Sequence, residues 1–135
     1  MPANNDSACT QTHYALGNIR KLVLDVTFDS GDGSFADAQI TTKFEGRLLD
    51  VVTNPGGTAP TDNYDVTLED QHGHDVLEAV GANRHTTTTQ KVPVVYSGTS
   101  LHPTVDESDT LTLKIANNSV NSATTVIELY YGLGG

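Results

Sequence analysis

The sequence predicts an all-β fold, an antiparallel β-sandwich or flattened barrel of about six to eight short strands with an extended N-terminal arm. Three observations lead there. Apolar residues recur at every second position in several short runs, the signature of a strand with one buried face. Clusters rich in Gly, Pro, Asn and Asp separate those runs. No segment places apolar residues at helical spacing; the best candidate, Asp75 to Ala82, is short and ends at Gly81.

Residues 1–15 read as an arm, because MPANNDSACTQTH offers little to bury. Residues 16–135 read as a single β-sandwich domain with no internal repeat. Leu22, Leu24, Val26 and Phe28 alternate with Lys21, Asp25, Thr27 and Asp29, which predicts a strand that the turn residues of Asp29 to Ser34 end. Ala38, Ile40, Thr42 and Phe44 alternate again. Gly46 interrupts, and Leu48, Leu49, Val51 and Val52 resume, so two strands or one bulged strand both fit. Thr53 to Asn63, with Pro55, Gly56, Gly57 and Pro60, is a loop by composition. Tyr64, Val66 and Leu68 predict a strand, and Asp75 to Val80 its hairpin return across Gly73. Gly81 to Gln90 reads as a loop or extended edge. Lys91 to Tyr96 reads as a short strand that Pro93 places at an edge. Leu111, Leu113 and Ile115 predict another strand, Asn117 to Ser122 a turn, and Val126 to Tyr131 the closing strand.

The chain has 135 residues, enough for one domain with a real core. Lys plus Arg is 7 against 17 Asp plus Glu, a net charge of -10, which argues against a nucleic-acid surface because phosphates would be repelled. One Cys excludes an internal disulfide framework and a Cys-based zinc cage. No apolar run approaches the roughly 20 residues of a membrane helix, so no membrane partner is expected. Met1 to Thr12 is neither basic nor apolar, so no secretory signal is expected.

Candidate chemistry is sparse. His72 and His74 form an H-x-H pair flanked by Asp70 and Asp75, and on a strand the two imidazoles would share a face and could hold zinc. A solvated hairpin tip is the simpler reading, since no third ligand of set spacing follows. The Asp29 to Ser34 run suggests calcium, but the twelfth position of that pattern holds Ile40 instead of Glu, so a β-turn is favoured. Cys9 and His13 could pair as nucleophile and base, yet both fall in the expected arm. Asp106, Glu107 and Asp109 read as a solvated edge that discourages unwanted strand pairing. Asn117-Asn118-Ser119 matches a glycosylation sequon, read as incidental. No catalytic residue, metal site or cofactor is assigned, and the chain is not expected to be an enzyme.

The stretch LLDVVTNPGGTAPTDNYDVTLEDQHGHDVLEAVGANRHTTTT (Leu48 to Thr89), followed by DTLTLKIANNSVNSATTVIELYYG (Asp109 to Gly132), resembles a group of small tailed-bacteriophage virion structural proteins. The resemblance lies in a TNPG-x-TAPTD loop, a D-x-x-G-x-DVL hairpin, a GANR segment and a closing hairpin. These are turns and strands, and His72 and His74 are particular to this chain within the pattern.

The resemblance implies a virion protein, assembled in the host cytoplasm and exposed on the particle. A capsid decoration or cement role is expected, with the major capsid protein or other virion proteins as partners and a homo-oligomer, plausibly a trimer, as the acting form. The arm would reach across to neighbours. The alternative is a tail, neck, baseplate or head-fibre component that binds a host glycan. A third reading, a metal-dependent hydrolase at His72 and His74, has the least behind it.

Overall fold

The computed structural model describes residues 5–41, 45–106 and 108–132. Among these, the chain runs through strands β1 (Ala8–Leu16), β2 (Ile19–Thr27), β3 (Ala38–Gln39), β4 (Gly46–Pro55), β5 (Asp65–Glu69), β6 (Gln90–Pro93), β7 (Thr104–Val105), β8 (Thr112–Ala116) and β9 (Thr124–Gly132), with no helix. The larger sheet has the order β1-β2-β9-β4-β6, with β7 also paired to β4. The smaller has the order β3-β8-β5. Every pairing is antiparallel, and the two sheets enclose one core, so the all-β sandwich is what the chain forms.

The alternating runs become the strands whose inner residues fill that core. Leu22 and Leu24 of β2 lie opposite Leu129 and Ile127 of β9, and these four are buried together with Val26 and Tyr131. Leu113 and Ile115 of β8 and Val66 and Leu68 of β5 approach from the other sheet. Each fully buried aliphatic side chain contributes about 1.5–3 kcal/mol by leaving water. Tyr64 is fully buried as well, and its hydroxyl is satisfied by the Thr125 hydroxyl at 2.9 Å.

A bulge reconciles β4 with the core. Its register against β9 shifts between Leu48 and Asp50, leaving Leu49 as the extra residue. The shift lets Leu48 and Val51, three apart, both point inward, and the Val94 N–H donates to the Leu49 carbonyl at 2.9 Å. The break at Gly46 thus separates two strands in different sheets, and the bulge lies beyond it. Thr42 and Phe44 lie outside the described residues, as does Leu133.

Two expected elements differ. From Ala8 onward the arm is strand β1, paired along its length to β2 through the Gly17-Asn18 turn, with Gly17 at φ 69. An edge strand needs little apolar content of its own, so composition alone hid it. The return strand expected over Asp75 to Val80 is a series of turns instead. The Asp75 carboxylate accepts the N–H groups of Leu77 and Ala79, both at 3.0 Å, which curls the chain. Glu78 and Ala79 then take positive φ, incompatible with a strand, and the consecutive Val76 and Leu77 are both buried.

The same turns lie along the outer edge of β5. The Val66 N–H donates to the Gly81 carbonyl at 2.8 Å, and the Val76 N–H to the Leu68 carbonyl at 2.7 Å. A Cβ on Gly81 would sit 2.2 Å from the Val66 carbonyl oxygen. Gly81→Ala is therefore expected to lower stability by about 1–3 kcal/mol in denaturant titration. Gly57→Ala, where an added Cβ meets nothing within 4 Å, should stay within about 0.5 kcal/mol of the parent.

Candidate functional site

The His72–His74 turn is built around Asp70. One carboxylate oxygen of Asp70 accepts the N–H of His72 at 2.9 Å and that of His74 at 3.1 Å, while Gly73 takes φ 78 at the tip. The slight burial of Asp70 opposes its ionisation, but these two N–H donors and the nearby imidazoles prevail and lower its pKa. His74 turns its ring to Glu78, at 2.6 Å, and that bond raises its pKa. Asp75 is occupied by the backbone of Leu68, Leu77 and Ala79. One oxygen of Asp70 and both oxygens of Asp75 are thus engaged by the chain itself. Among the described residues, no group of three His, Cys, Asp or Glu side chains is placed to hold a metal ion.

The Asp29 to Ser34 turn uses carboxylates in the same way. Asp29 is buried and accepts the N–H of Asp6 at 2.8 Å, of Gly31 at 2.9 Å and of Asp32 at 3.0 Å. Those donors, Asp6 first, hold its carboxyl well below the usual range despite the opposing effect of burial. Asp6 in turn accepts from the Ser30 N–H and hydroxyl, and Asp32 from the Ser34 N–H and hydroxyl. The segment before β1 is thereby tied to the turn after β2.

Cys9 and His13 both lie on β1, opposite Val26 and Leu22, and they do not bond to each other. Burial, helped by the charge of Asp25, pushes the Cys9 thiol up to about 11, so it stays protonated at neutral pH. His13 stacks on and hydrogen-bonds to Tyr131. At the acidic edge, Asp106 accepts the Ser108 N–H and Asp109 accepts the Asp106 N–H, both at 2.9 Å, while Glu107 lies outside the described residues. Asn117 of the sequon takes φ 66 and donates its side-chain amide to Asp65.

Two surface features went unread in the sequence. On the outer face of the larger sheet, the register sets Tyr14, Lys21, Tyr130 and Asp50 in one row across β1, β2, β9 and β4. The Lys21 ammonium lies 5.1 Å from the Tyr14 ring centre and 5.8 Å from that of Tyr130, and Lys91 lies 4.9 Å from Tyr130. The second feature is an open cleft of about 380 Å³ lined by Arg47, Tyr96, Ser100, Leu101, His102 and Thr104. Tyr96 and Leu101 are exposed. His102 Nδ1 bonds the Val94 carbonyl at 2.7 Å, which makes that nitrogen the donor. Arg47 has no ion-pair partner among the described residues.

No protein-family model matches the chain, and neither a curated protein nor a solved structure matches it.

The low pKa of Asp29 makes acid stability a direct readout. A carboxyl whose folded pKa lies below its unfolded value near 3.8 stabilises the fold fully above that value. The contribution is lost as pH falls through the lower folded value. Asp29→Asn is expected to be less stable than the parent at neutral pH. Its denaturation midpoint should fall less steeply than the parent's when the pH is lowered below about 4.

Proposed function

We propose that this chain is a structural protein of a tailed-phage virion, acting as a capsid decoration or cement protein that stabilises contacts between capsid subunits. The observation that carries the reading is the use to which the carboxylates are put. Asp6, Asp29, Asp70 and Asp75 accept backbone N–H groups and hold loops in one shape, as suits a part that works by form and adhesion. The turn and strand resemblance to small phage virion proteins points the same way. Contacts with the major capsid protein or other virion proteins then come from the outer sheet face and the loops. Of the expected arm, Ala8–Leu16 is paired to β2 on one side, which leaves its other edge open to a neighbour. In purified virions the protein should occur at a copy number comparable with the major shell protein, measured by quantitative mass spectrometry. A handful of copies per particle would move it to the neck or tail.

One observation favours a second reading, a tail or head-fibre component that binds a host glycan. The cleft sets the exposed Tyr96 beside Arg47, and sugars stack on such rings while a guanidinium holds acidic groups. On that reading the isolated protein gives a signal on a glycan array, and Tyr96→Ala lowers the affinity about tenfold, or by about 1.4 kcal/mol.

A further inference from the structure

An unpaired strand edge presents a row of N–H and C=O groups that can template another strand, and most folds blunt such edges. Among the described residues, the longer edges other than β1 are blunted. β6 is four residues long and carries Lys91 and Pro93. β3 has two residues, and the turns after Asp75 cover the outer edge of β5. β1 is different: nine residues, ACTQTHYAL, with no charged side chain and no proline.

The hairpin geometry says which groups face out. Leu16 and Ile19 close a two-residue turn, so the even-numbered residues of β1 bond to β2. The backbone groups of Cys9, Gln11, His13 and Ala15 point the other way. None of them has a backbone partner among the described residues.

We propose that β1 pairs antiparallel with β1 of a second copy about a two-fold axis at Thr12, joining two larger sheets into one. The occupant follows from charge. The chain carries -10, so copies repel through most of their surface, yet Ala8–Leu16 is neutral and two such edges meet without like-charge contact. Antiparallel pairing of identical strands is what a two-fold axis produces. The Thr12-centred register sets Gln11 opposite the partner's His13 and Cys9 opposite the partner's Ala15, so every outward group is used. Tyr14, 47% exposed, lies on β1 beside the seam and supplies apolar area. The pairing does not rest on the virion reading, and its symmetry differs from the trimer that the sequence suggested.

Sedimentation equilibrium of the full chain at high micromolar concentration tests it. The expected mass is two chains, twice 14.3 kDa. Thr12 is exposed, so Thr12→Lys and Thr12→Glu should each keep the far-UV spectrum of the parent. Each alone should sediment as one chain, because like charges then face each other, and an equal mixture should recover the two-chain mass. Ala15→Pro removes an outward donor while leaving the bonds to β2, and it too should sediment as one chain. A parent of single-chain mass, an assembly whose mass these substitutions leave unchanged, or a mixture that stays at single-chain mass would overturn the proposal.

Discussion

Asp29 and Asp75 each take backbone N–H groups from three residues, and the loops of this protein depend on that interaction. A carboxylate accepts such bonds with more energy than a neutral side chain and has lone pairs for several donors. Asp29 gathers the segment before β1, the turn after β2 and, through its carbonyl, the Ser122 N–H ahead of β9. Asp75 gathers the edge of β5 and the turns that cover it. These bonds work beside apolar loop residues such as Phe35, Val76 and Leu77, which are buried in the same core.

The two sheets are then free to divide their roles. The inner faces are almost wholly apolar, and the larger sheet leaves its outer face to water. There the cation–aromatic row of Tyr14, Lys21 and Tyr130 keeps half-buried side chains ordered without closing the surface. Lys21 and Lys91 sit on that face, and Glu128 and Asp50 stand beside them to balance them locally.

Where one face of a strand is buried, the sequence shows it: β2, β5, β8 and β9 alternate as their residues do, and their inner positions were legible from period two alone. β1 was not legible, because an edge strand that touches the core mainly through Cys9 has no pattern to display. The Asp75 to Val80 segment misled for the opposite reason. Its apolar residues suggested a strand, but an aspartate at its head bent the backbone through local bonds that hydropathy does not record. The His72–His74 turn was placed correctly, while the destination of its carboxylates was not, since hydrogen bonding to the backbone leaves no mark on residue type. The row on the outer sheet and the cleft at Tyr96 depend on register between distant residues, Tyr14 with Lys21 and then Tyr130, which no local reading contains.

The position of β9 has a consequence for how this molecule comes into being. It is the middle strand of the larger sheet, and Ile19 must find Gly132 before that sheet exists. Closing so long a stretch of chain is entropically slow. During synthesis the β1–β2 hairpin therefore waits with Leu22, Leu24 and Val26 bare to water while the rest of the polypeptide is made. Mutual repulsion among strongly acidic nascent chains shields that interval, delaying clumping until the missing strand arrives.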